Sequence, residues 1–212
     1  GLEQPPNFEN HAWHLRLTVE PAELAGRLGV EPAQVATWLA GARRALFEVR
    51  ARRVWPGRDE KILTAWNGLM IKGMAAAGRH LDRTDFVASA ERALDFARVH
   101  LWRDGRLRAV FKEGQARLNA YLDDYAFLID GILELLQCRW RDGDLDFALA
   151  LADVLLDQFE DREAGGFFFT AHDHESLIHR PKSAYDDALP AGNGVAAQVL
   201  LKLGHVTGQT TW

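Results

Sequence analysis

Three acidic clusters along the chain hold the side chains that proton-transfer chemistry requires. The first is Asp59-Glu60-Lys61, with Trp66 and Asn67 close behind; the second is Tyr121-Leu122-Asp123-Asp124-Tyr125. The third begins with Arg180 and Lys182, runs through Tyr185-Asp186-Asp187, and ends in Pro190 to Asn193. Two carboxylates side by side repel, so one holds its proton to higher pH and can act as a general acid beside an ionised partner. Aromatic faces offer flat apolar platforms for the C–H faces of a sugar ring. Carboxylates converging from separate elements are the arrangement that cleaves glycosidic bonds. Asp124, Asp186 and Asp59 are therefore the catalytic candidates, and Trp66, Asn67, Asp123, Tyr125, Arg180, Lys182 and Asn193 the candidates for holding substrate. A structural reading stands beside each: Asp59 as a helix cap, Trp66 as core, and one carboxylate of the Asp123-Asp124 pair as a cap.

Helices must position these clusters. Apolar spacing of three and four predicts helices over 31–53, 59–81, 84–101, 119–140, 144–159 and 188–203. The first carries the stripe Val35, Leu39, Ala42, Leu46 and Val49, and the second carries Ile62, Ala65, Leu69 and Gly73. Residues 105–112 alternate like a strand, as do 166–170, which a polar turn joins to a return run at 177–179, so small β-hairpins are expected between helices. Residues 1–20, with Pro5-Pro6, read as an extended arm. Helices starting near Asp59, Asn119 and Ala188 carry small residues (Gly68, Gly73, Ala126, Gly131, Gly194, Ala196, Ala197), whereas those near Glu31, Thr84 and Asp144 are ordinary amphipathic ones. Outer and inner helices recurring in this alternation predict an all-α fold, a partial (α/α) toroid in one domain over 1–212.

Composition narrows the function classes. The 212 residues carry 25 Lys+Arg against 30 Asp+Glu, a net charge of −5, which disfavours a nucleic-acid surface. Apolar runs are far shorter than the ~20 residues that cross a bilayer, no secretory leader is visible, and Cys138 has no intramolecular partner, so a cytoplasmic protein away from membranes is expected. His172-Asp173-His174-Glu175 sits in an expected turn with no further ligand set at metal spacing, so no metal is assigned. No phosphate-binding glycine loop, serine-nucleophile elbow or Cys-x-x-Cys pair occurs, and no cofactor is expected.

The three clusters in this order resemble the thioredoxin-domain-containing family that includes spermatogenesis-associated protein 20. The resemblance rests on 59–71, 121–129, Gly165-Gly166-Phe167-Phe168-Phe169, Arg180-Pro181-Lys182 and Asp186 through Asn193, with Asn7-Phe8-Glu9 near the start. It implies the later part of an (α/α)6 toroid similar to six-hairpin glycosidases and sugar 2-epimerases, a thioredoxin-like part lying elsewhere in the family's architecture. Where the family carries Asp-Gly-Ala-x-Pro-Ser-Gly-Asn, this chain has Asp187 in place of the first glycine and Ala191 in place of the serine. Two functions follow as expectations: a carbohydrate-active toroid, glycosidase- or epimerase-like, binding a sugar or other small molecule; or a non-catalytic helical scaffold that pairs with a second copy or with the remainder of the toroid.

Overall fold

Helix α5 (Leu122–Cys138) is buried on nearly every side, and its sequence says why: Ala126-Phe127-Leu128-Ile129 and Ile132-Leu133 leave no polar face to turn toward water. The computed structural model describes residues 4–209, which fall into two compact units, Gly1–Arg58 and Asp59–Trp212.

In the second unit α5 packs between α3 (Thr64–His80) and α7 (Gly192–Thr207), with α6 (Asp142–Phe159) also against it; α4 (Thr84–Phe96) packs on α3 and continues into a π-helical turn at Ala97–Leu101. Inner helices α3, α5 and α7 thus lie side by side, with α4 and α6 as their outer companions, as expected of part of an (α/α) toroid. Two glycines set the α3–α5 spacing. A Cβ on Gly68 would stand 2.6 Å from the Phe127 carbonyl carbon, and one on Gly131 would stand 2.7 Å from the Gly68 carbonyl oxygen. Gly73 and Gly194 have open space around them and Ala197 is exposed, so those small residues do not serve close packing. The buried face of α3 is Thr64, Gly68, Ile71, Ala75 and Gly78, one position round from the stripe that spacing suggested.

Charge ties the layers together. Asp130, 4% exposed in the middle of α5, accepts from Lys72 of α3 at 2.6 Å and from Lys202 of α7 at 3.0 Å. Buried Asp144 at the start of α6 is held by Arg98, Arg139 and Arg141. Burial alone would raise its carboxyl, but the hydrogen bonds from Arg141, Arg139 and Arg98 hold it below the usual carboxylate range.

A small antiparallel sheet centres on β3 (Arg106–Lys112). One edge pairs with β4 (Gln115–Asn119); the other pairs with β1 (Ile62–Leu63) and β2 (Trp102–Arg103). The hairpin expected at 105–112 is present. The one expected from 166–179 is not: the segment makes a single bridge between Glu160 and Phe167 and otherwise runs as a loop, because side chains replace the backbone ladder. The first inner helix, α3, starts at Thr64 instead of residue 59, since Ile62-Leu63 pair with β3 and leave Asp59 to Lys61 in an irregular entry.

The first unit contains the arm, α1 (Pro21–Leu28) and α2 (Pro32–Ala51), each helix with proline in its first turn. The described part of the arm, residues 4–20, forms no helix and closes a turn in which the Asn7 side chain bonds the His14 backbone both ways (2.7 and 3.2 Å). Among its described residues only Ala25 and Val35 are buried; Leu46 and Val49 of the expected core stripe are exposed.

Candidate functional site

The starts of α5 and α7 and the loop between α6 and α7 enclose a pocket of about 480 Å³. Its walls are Leu122 and Asp123 from α5, Phe169, Pro181, Ser183, Tyr185 and Asp187 from the loop, and Leu189 to Asn193 entering α7. Asp123 lies against Gly192, the first residue of α7: a Cβ there would meet its Oδ1 at 2.0 Å, so only glycine leaves room for the carboxyl. Burial pushes the Asp123 carboxyl above its ordinary range, and it has no hydrogen-bond partner among the described residues.

Its neighbour Asp124 does different work. One oxygen accepts the Tyr121 N–H at 2.8 Å, capping α5, and the other accepts the Ala65 N–H at 2.8 Å, satisfying a first-turn donor of α3. Burial drives this carboxyl up to about 7, against the lowering pull of those two N–H groups. Asp124 also reaches a second, separate pocket of about 280 Å³ with Lys61, Trp66, Val110 and Tyr121. Of the adjacent pair, then, one carboxylate caps two helices and the other faces the larger pocket, because successive helical residues point about 100° apart.

The remaining candidates divide the same way. Asp186 is exposed and accepts at 2.8 Å the N–H of Ala191, the residue just before α7, so it fixes the entry to that helix beside the Asp123 pocket without capping it. Asp59 is exposed and turned onto Lys61, 3.0 Å away, whose ammonium holds its carboxyl low; it lies on the entry to β1 and not at a helix start. Trp66 is 62% exposed and walls the smaller pocket, not the core. The Asn67 amide donates to the Leu63 carbonyl at 2.8 Å. Tyr125 is fully buried, its hydroxyl accepting the Leu107 N–H at 2.9 Å, so it fastens β3 to α5 and lines neither pocket.

Arg180, Lys182 and Asn193 hold the loop. Arg180 donates to the Thr170 carbonyl and lies over the Phe168 ring at 4.0 Å. Lys182 donates to Asp161 at 2.6 Å and to the Gly165 carbonyl at 2.8 Å, and its hydrogen bond takes the Asp161 carboxyl down to about 2. The Asn193 amide accepts the Phe167 N–H at 2.7 Å and donates to the Phe167 and Ser183 carbonyls at 2.8 and 3.0 Å. Among these, Asn193 alone also lines the larger pocket.

Sequence reasoning passed over several of these contacts. Asp187 lines the larger pocket although Asp186 was the candidate. Asp173, weighed for metal, pairs twice with Arg106 at 2.5 and 3.0 Å. Among the described residues no group of three His, Cys, Asp or Glu side chains is placed to hold a metal ion. Asp130 could have been found, since a lone carboxylate in the middle of an apolar helix demands buried partners.

No family model matches the chain. It is 32% identical to spermatogenesis-associated protein 20 of Rattus norvegicus over 99% of its length, and 33% identical to the Homo sapiens protein over 89%. It spans 28% and 25% of those two relatives. Among solved structures, cellobiose 2-epimerase from Bacillus thermoamylovorans matches with TM-score 0.59 and 11% identity, over 72% of this chain and 41% of that one. An inactive variant of the α-1,6-mannanase of Salegentibacter sp., two adjacent aspartates changed to asparagine, in complex with α-1,6-mannotriose, matches with TM-score 0.56 and 16% identity, over 89% of this chain and 53% of that one. The fold is thus part of an (α/α)6 toroid, and the chain is homologous to roughly a quarter of spermatogenesis-associated protein 20.

Proposed function

We propose that the pocket between the starts of α5 and α7 binds a sugar and that Asp123 is its general acid. The observation that carries this reading is a carboxyl raised by burial, without a hydrogen-bond partner among the described residues, on the wall of a 480 Å³ pocket. Such a group stays protonated at higher pH than an ordinary aspartate and can donate to a glycosidic or ring oxygen. Asp187 supplies a second carboxylate on the same wall, and Asp186 stands at the rim. Phe169 and Tyr185 supply apolar ring surface, and Tyr121 stacks on Phe169 with centroids 5.0 Å apart. Asp124 positions the acid by capping the helix that bears it. The toroid neighbours act on or bind carbohydrate, and the mannanase variant lost activity with two adjacent aspartates replaced, a pair of the same kind as Asp123-Asp124.

The test is binding and turnover with cellobiose and α-1,6-mannotriose, followed by calorimetry and product chromatography. Binding that survives Asp123→Asn while turnover falls by about 100-fold, the usual scale for a lost general acid, supports the reading. A folded protein that neither binds nor converts either sugar overturns it for these two sugar classes, and turnover unchanged by Asp123→Asn overturns the role of that residue.

A further inference from the structure

The first unit contains a groove of about 880 Å³ between the arm and the C-terminal half of α2. Phe8, Trp13, Leu15 and Leu46 supply its apolar surface, with Leu15 62% and Leu46 54% exposed. Arg16, Arg50 and Arg53 also line it, no carboxylate does, and these three guanidinium groups make no ion pair among the described residues. The imbalance extends along the helix: residues 43–53 hold Arg43, Arg44, Arg50, Arg52 and Arg53 against Glu48 alone. Beside the groove, Leu15 to Thr18 belong to no helix or strand, and their backbone N–H and C=O groups find no hydrogen-bond partner among the described residues.

We propose that this groove binds an acidic, extended segment of a partner protein, which adds as a strand along Leu15 to Thr18 and sets its carboxylates against Arg16, Arg50 and Arg53. Three needs of the surface meet in that one occupant. The open backbone edge wants a second backbone, which a peptide supplies and a lipid surface does not. Alternation along a strand sets every second side chain beside Leu15 and the others beside Arg16. On the facing wall Leu46 meets the apolar ones, while Arg50, one turn further along the same face of α2, and Arg53, just past its end, meet carboxylates. Arginine forks pair well with carboxylates and do so at a groove wall, where water competes less than on an open surface. This surface is independent of the sugar pocket, and its test does not touch that reading.

The probe is a labelled peptide that alternates Glu with Leu and Val, titrated by fluorescence anisotropy into the whole chain. The expected result is saturable binding that weakens by about tenfold from ~50 to ~250 mM salt, as charge pairing is screened, and by about tenfold or more in Arg50→Glu/Arg53→Glu, a loss typical of removed charge pairs at an interface. The matching Lys peptide should not bind. Two versions of the Glu peptide, N-methylated on alternate residues, should separate: the one whose methyl groups face the arm loses binding and the other keeps it. Absence of binding, equal loss with both methylated versions, or full binding to the double variant overturns the proposal. So does self-association in light scattering that the double variant abolishes, which makes a second copy the occupant, or capture by phosphatidylserine vesicles without peptide binding.

Discussion

Replacing Asp124 with asparagine should change the protein's stability in opposite directions at low and high pH. The carboxyl accepts two backbone N–H groups, from Tyr121 and Ala65, both at 2.8 Å. An amide accepts only one; its NH₂ must face the other N–H, which leaves a buried donor without a partner at a cost of about 1–3 kcal/mol. The charge acts the other way. With the folded carboxyl at about 7 and the ordinary value at 3.8, the folded state holds a proton that the unfolded state has released. Stability therefore falls as pH rises between those values, by at most roughly 4 kcal/mol, and is flat above and below. Asparagine has no proton to lose and escapes that fall. The variant should be less stable than the parent by about 1–3 kcal/mol near pH 4, and equal to it or more stable by about the same amount near pH 8. Urea unfolding of both proteins at a series of pH values measures the difference directly, since all other titrating groups cancel. A difference that stays constant with pH, or grows against the variant as pH rises, would refute the account; it would mean that the two N–H donors outweigh burial and keep the carboxylate ionised.

Two further outcomes follow from the packing. Gly68→Ala puts a methyl 2.6 Å from the Phe127 backbone, which forces α3 and α5 apart and should cost about 2–3 kcal/mol or more; Gly73→Ala, with open space around it, should instead stabilise by roughly 0.5–1 kcal/mol, and thermal unfolding of the pair compares them. Asn193→Asp keeps the acceptor for the Phe167 N–H but loses both donated bonds, so the loop between α6 and α7 should become a preferred site of limited proteolysis while the helices keep their circular dichroism.

Helix type and order were legible because they are local properties: a 3.6-residue apolar period and small residues in alternate helices need no knowledge of distant chain. The position of the three acidic clusters near the inner-helix starts followed from the same pattern. What each carboxylate does was not legible. Asp123 and Asp124 are neighbours in sequence, and only the packing of α3, α5 and α7 decides that one caps Ala65 across a helix pair while the other faces a pocket beside Gly192. Tyr125 has the composition of a sugar platform, yet burial against β3 makes it a core bolt. Arg180, Lys182 and Asn193 look like ligand contacts in the sequence, and the fold uses them to fasten a loop whose backbone forms almost no ladder. Periodicity tells which side of a helix is apolar; which polar atoms meet across helices depends on contacts between residues tens of positions apart, and only tertiary structure sets those.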